Sequence, residues 1–306
     1  MEVSDMKKFL IQIAFFFAIV ALVDFTLGKM FFYLQSSKAK GGTESEYHIC
    51  NGLKEDILVM GSSRAAHHYV PQVFADSLGM SCYNGGQDGN GIVMQYGRWK
   101  MISKHRLPKL IIYDVEPSFD LKVDDNTRYI DRLKPFANDR DVNSYITSLF
   151  PMERYKLFSS MYRYNYKFLE IFSDCVRSSN VNNGYKANYA HIRTEVIDKV
   201  RDTARTTLHE FDSVKMECLN NLVKEAREKG IQVVLVSSPY WKGFNDIDMS
   251  PIKAFAEKKG ILFVDYADSE LRNNPDLFAD SMHLNDQGAK SFTSDLVVRL
   301  KIFFGV

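Results

Sequence analysis

The chain lacks an excess of either charge. Its 39 lysines and arginines face 38 acidic residues, so no global field draws it to nucleic acid or to an anionic surface, and nucleic-acid binding is set aside. Cysteine is scarce as well. The four present, Cys50, Cys82, Cys175 and Cys218, include no Cys-x-x-Cys pair, which argues against a zinc site or a thioredoxin-like redox motif. A disulfide is permitted outside the cytoplasm, but buried free thiols are the default at this chain length. Internal repeats and low-complexity tracts are missing. His67-His68 is the one tempting metal pair, yet neighbouring residues on a helix or strand point apart and no carboxylate spacing completes a site. Neither a metal nor another cofactor is expected.

What the chain does have is a long apolar run near its start. Phe9 to Leu27 is interrupted only by Gln12, Asp24 and Thr26, and it is long enough to cross a ~30 Å hydrocarbon core as a helix. A cleaved signal peptide has a shorter apolar stretch and a small-residue cleavage site, whereas Gly28 to Leu34 continues the hydrophobic character, so an uncleaved signal anchor over residues 1–34 is favoured. Lys7 and Lys8 place the N-terminus in the cytoplasm and the bulk of the chain outside it, in the periplasm or at the cell exterior; Lys29, Lys38 and Lys40 pull the other way. Asp24 marks either a partner helix or proton path, or a position near the interface, and the second is preferred.

Residues 35–53 are mostly polar with a Gly-Gly step and read as a tether. From residue 54 to 306, short apolar runs alternate with helical periodicity. Strands are expected at Ile57 to Met60, Met80 to Tyr83, Lys109 to Val115, Ile231 to Ser237 and Ile261 to Val264. A helix is expected over Pro71 to Leu78, and another from about Ile92 to Lys104. The Lys-Gly endings at Lys229-Gly230 and Lys259-Gly260 suit helix C-caps. Alternating strands and helices predict an α/β fold: a doubly wound, parallel five-stranded sheet, flavodoxin-like, in an α/β/α sandwich. The stretch from about 117 to 195 breaks the rhythm and reads as a helical insertion with its own small core. Its many aromatics serve as packing or, as a group, line a carbohydrate-facing cleft.

Ligand sites in such a sheet form at the carboxyl ends of the strands. Ser63 follows the first strand in Gly61-Ser62-Ser63, a glycine-rich loop from Asn84 to Gly91 follows the second, Glu116 follows the third, and Asp280-Ser281-Met282-His283 follows the fifth. A serine needs an imidazole to take its proton, and the imidazole needs a carboxylate to fix its tautomer, so Ser63, His283 and Asp280 form a candidate triad. Arg64 steers an anionic or sugar ligand, or is a solvated charge.

On these motifs the chain resembles the SGNH (GDSL-like) hydrolase superfamily, in the style of its membrane-anchored, extracytoplasmic bacterial members, over roughly residues 55 to 116 and 230 to 300. Gly61-Ser62-Ser63 matches the nucleophile block with Ser62 in place of the usual Asp, and Asp280-Ser281-Met282-His283 matches the Asp-x-x-His block. Asn84 to Gly89 resembles the second block, which implies an oxyanion-binding N–H at Gly86 or at Gly85. The family's Gly-x-Asn-Asp is replaced by Asp114-Val115-Glu116-Pro117. An ionised carboxylate at Glu116 cannot donate, and one lost oxyanion donor typically costs about a hundred- to a thousandfold in turnover. The resemblance implies a serine esterase or acyltransferase acting on acylated carbohydrate in the cell envelope, with room for an envelope protein partner. The alternative is a non-catalytic relative that binds glycan or assists an envelope assembly complex.

Overall fold

Five short strands make the sheet, mostly aliphatic except for Cys82-Tyr83-Asn84, and their residues are buried apart from Gln232 and, in the edge strand that ends the series, Leu262, Phe263 and Asp265. In the computed structural model, which describes residues 3–177, 182–193, 211–241 and 248–305, the strands are β1 (Ile57–Met60), β2 (Cys82–Asn84), β3 (Leu110–Asp114), β4 (Gln232–Ser237) and β5 (Leu262–Asp265). They lie in the order β2-β1-β3-β4-β5, every pair parallel. This is the doubly wound, flavodoxin-like order, whose switch point lies between β1 and β3.

The helices in chain order are α1 (Val3–Ser37), α2 (Gly41–Asn51), α3 (Ser63–His68), α4 (Pro71–Leu78), α5 (Ile92–Ile102), α6 (Pro117–Asp120), α7 (Arg140–Leu149), α8 (Glu153–Lys156), α9 (Ser160–Tyr164), α10 (Phe168–Val176), α11 (Ser213–Glu228), α12 (Ser250–Lys259) and α13 (Asp286–Phe304). Helices α3 and α4 pack with α13, and α5 packs with α11. Pro71 opens α4 and Gly79 closes it in a left-handed conformation. The Asn285 side chain caps α13 by accepting from Gly288 N–H at 3.0 Å.

The chain divides into two compact units. One comprises Met1–Tyr47 with Ile130–Ser179, and the other His48–Tyr129 with Asn180–Val306, which holds the sheet. The insertion expected over 117–195 is therefore shared between units, and its last residues, together with 178–181, lie outside the described residues. Within it Leu133, Val142 and Ile146 are buried. In the first unit Tyr164 and Ile171 pack with Phe31 of α1, with Leu27 and Leu34 alongside. Residues 35–53, expected as a tether, are largely helical. They end α1 and form α2, which begins where Thr43 N–H donates to Asp174 Oδ2 at 2.9 Å and goes on to bury Ile49 and Cys50. Polar composition misled because the ordering comes from tertiary partners distant in sequence. None of the four cysteines is in a disulfide, and only Cys175 is not buried.

Candidate active site

The turn from β1 into α3 passes close against the end of β3. A Cβ at Gly61 would lie 2.7 Å from Asp114 O, and its φ of +141° is one that side-chain-bearing residues rarely adopt, so only glycine fits. The turn delivers Ser63 as the first residue of α3. Within that helix Arg64, Ala65, Ala66 and His68 are buried, while Ser63 and His67 keep partial exposure. Their i, i+4 spacing puts both on one face.

His283 arrives from the other end of the sequence. Its Nε2 lies 2.7 Å from Ser63 Oγ, and its Nδ1 lies 2.9 Å and 3.0 Å from the two oxygens of Asp280. A carboxylate only accepts, so Nδ1 carries the proton and Nε2 is left to receive one from the serine. Asp280 also accepts from the N–H groups of Met282 and His283 at 2.8 Å and 2.9 Å. Burial alone would raise the Asp280 carboxyl, but the His283 ring and those amides hold it below its ordinary value. The structure thus brings Ser63, His283 and Asp280 into one hydrogen-bonded chain.

Beneath them runs a buried polar network that no local motif announced. His68 Nε2 accepts from Leu284 N–H at 2.9 Å, directly after His283, so its Nδ1 bears the proton and meets Ser238 Oγ at 2.8 Å. Burial foremost, then the charges of Arg64, His283 and His67, keep this imidazole neutral, well below its usual pKa. Ser238 N–H donates to Asp114 Oδ2 at 3.3 Å, and Tyr69 O–H donates to the same oxygen at 2.6 Å. Arg64 belongs to this network, which corrects the reading of it as a solvated charge. Its guanidinium is buried, donates to Ser238 Oγ at 3.1 Å and to Ser238 O, and stands 3.5 Å from Asp114 Oδ1. It holds the ends of β3 and β4 together and does not face solvent. The signal in the sequence was the polar pair Ser237-Ser238 closing an otherwise apolar strand.

His67 takes the opposite course. Its Nδ1 lies 2.7 Å from Lys186 O and its Nε2 3.1 Å from Asp88 Oδ1. With an acceptor at each nitrogen, both carry protons and the ring is a cation. Burial works against that charge, but Asp88 and the Lys186 carbonyl outweigh it and raise the pKa of His67. Burial also opposes ionisation of Asp88, yet His67 and Lys186 hold it well below the usual carboxylate range. The His67 and His283 rings stand edge to face at 5.7 Å. Adjacent in sequence, His67 and His68 serve separate partners.

The two glycines expected to offer oxyanion donors are already committed. Gly85 N–H donates to Val59 O at 2.8 Å and Gly86 N–H to Asn84 Oδ1 at 2.9 Å. Gly86 instead permits close packing, since a Cβ there would sit 2.2 Å from Ala66 N. Asn84, its amide donating to Ala65 O and Tyr69 O, clamps that loop to α3. Glu116 is buried as the N-cap of α6, accepting from Ser118 N–H at 3.1 Å. Burial raises its pKa, against the pull of Arg64 and Ser118. Nearby Asp120 is pushed up to about 8 by burial first, then by the charges of Glu116 and Asp114, although the Glu116 N–H opposes the shift.

No protein-family model matches the chain, and no curated protein sequence matches it. Among solved structures, a protein from Bacteroides fragilis described as an acylhydrolase is 14% identical at a TM-score of 0.36, over 80% of this chain and 86% of that one. A lipolytic protein of the G-D-S-L family from Desulfitobacterium hafniense is 12% identical at 0.39, over 80% and 99%. A protein from Streptococcus pneumoniae described as a platelet activating factor is 12% identical at 0.41, over 92% and 98%. At these identities and scores the likeness is one of architecture, and it carries no statement about activity.

Proposed function

We propose that the chain is a serine-dependent esterase or acyltransferase of the GDSL-like kind. The reading is carried by one observation, the 2.7 Å approach of Ser63 Oγ to an imidazole whose other nitrogen is held by Asp280. Ser63 attacks an ester carbonyl, His283 takes the proton and returns it to the leaving alcohol, and Asp280 fixes the ring and stabilises the imidazolium. The oxyanion rests on the Ser63 N–H, first in α3 and uncapped by the Ser62 side chain. Gly86, whose N–H is taken by Asn84 Oδ1, does not supply the second donor. Water as acceptor gives hydrolysis, and a sugar hydroxyl gives transfer. The exposed apolar length of α1 supports membrane anchorage, and Lys7 and Lys8 support a catalytic unit outside the cytoplasm. Acylated carbohydrate of the envelope is the substrate class that fits this location.

A second reading is favoured by the engaged amides of Gly85 and Gly86 and by the carboxylate at Glu116, which leave fewer oxyanion donors than the motif implies. The chain would then bind glycan or assist an envelope assembly complex without turnover. Fluorophosphonate labelling of the full chain in detergent, read by intact mass, separates the two. Covalent labelling that vanishes in Ser63→Ala and slows by about a thousandfold or more in His283→Ala supports catalysis. An unlabelled, folded wild type transfers the case to the binding role.

A further inference from the structure

Side chains of residues 4 to 23 of α1 are all exposed. Burial starts at Asp24 and returns at Leu27, Gly28, Phe31, Leu34 and Gln35, the spacing of one helix face. Past Lys7 and Lys8, the nineteen residues from Phe9 to Leu27 at 1.5 Å each span about 28 Å, close to the thickness of a bilayer's hydrocarbon core. The change from bare to packed helix therefore falls in the last turn of that apolar run, next to the interface.

Asp24 shows what is held at that level. Its carboxylate accepts from Ser159 Oγ at 2.6 Å, Ser160 N–H at 2.8 Å and Met161 N–H at 2.9 Å, so the start of α9 is fastened to it. Phe158 immediately precedes the N-cap Ser159. A hydrophobic residue in that place ordinarily packs on the fourth helical position. Here that position is Arg163, and Phe158 is 83% exposed. Tyr155 is 66% exposed between the exposed Arg154 and Lys156, and Met161 is also exposed. Aromatic and apolar side chains interleaved with basic ones suit the headgroup boundary, where rings meet the acyl edge and cations meet phosphates.

We propose that the turn between α8 and α9 sits in the bilayer interface through Tyr155, Phe158 and Met161, making the insertion a second lipid contact beside the span. The proposal rests on the reading of α1 as a membrane span. Its test uses the full chain in phosphatidylcholine vesicles with acyl chains brominated or unbrominated. Emission from Phe158→Trp and from Phe16→Trp is compared with the parent, whose Trp99 and Trp241 are buried in the other unit. Bromines near the headgroup should quench more than half of the added Phe158→Trp emission, and bromines deep in the chains should do so for Phe16→Trp. A quenched Phe16→Trp with an unquenched Phe158→Trp overturns the proposal and leaves the span standing. Blue-shifted but unquenched Phe158→Trp emission means a protein surface covers the turn and also overturns it. If neither variant is quenched, the span reading falls and takes the proposal with it.

Discussion

His68 has committed one nitrogen to a backbone N–H and the other to a serine hydroxyl, so protonating it breaks the bond to Leu284 and loosens the loop carrying His283. Its folded pKa lies below the ordinary value of about 6.5, so the stability it contributes is present above that pH and is lost as pH falls toward the lowered value. His67 runs the other way. Its pKa is raised in the fold, so its contribution is complete below about pH 6.5 and is lost as pH rises through the raised value. Ring-nitrogen NMR should show His67 titrating above the ordinary histidine range and His68 staying neutral until well below it. His67→Gln should remove the alkaline loss in unfolding free energy and leave the acid one. A His67 ring that titrates below the ordinary range would sink this account. Ser63, Asp280 and His283 were legible because short local motifs at strand ends announce them. Arg64 was not, because nothing near residue 64 in sequence reveals that its partners are Asp114 and Ser238.

Helix α3 is only six residues long, and its place depends on the loop that follows β2. Gly86 touches its backbone closely enough that Gly86→Ala must displace either the loop or the helix. A loss of about 1–3 kcal/mol is expected, with a melting temperature lower by several degrees and slower labelling at Ser63. An unchanged melting temperature would mean that the loop shifts freely. Strand positions were readable to within two residues because buried parallel strands are continuous apolar runs, and Lys-Gly endings marked the closing of α11 and α12. The glycine-rich loop was legible as an element but not in its hydrogen bonds. The Asn84 side chain takes the Gly86 amide, and spacing alone cannot show that. Helix α2 was missed for a related reason, since its N-terminal end is ordered by Asp174, far along the chain.

At the scale of the molecule, the first 47 residues and residues 130–179 make one unit, so α1 cannot be removed like a handle. A soluble fragment beginning at Asp24 keeps the α9 cap and the core formed by Leu27, Phe31 and Leu34. One beginning at residue 40 loses all of them. Limited proteolysis should leave residues 140–176 intact in the first fragment and cut them rapidly in the second; equal resistance would show that these helices fold without α1. The same arrangement sets a timetable for synthesis. Helix α1 is made first, while α9 and α10 follow more than a hundred residues later. At about 5–20 residues per second the apolar stripe of α1 waits roughly ten seconds for its partners. During that interval lipid or a chaperone must cover Phe31, so on the proposed reading of α1 as a membrane span, insertion precedes completion of this unit.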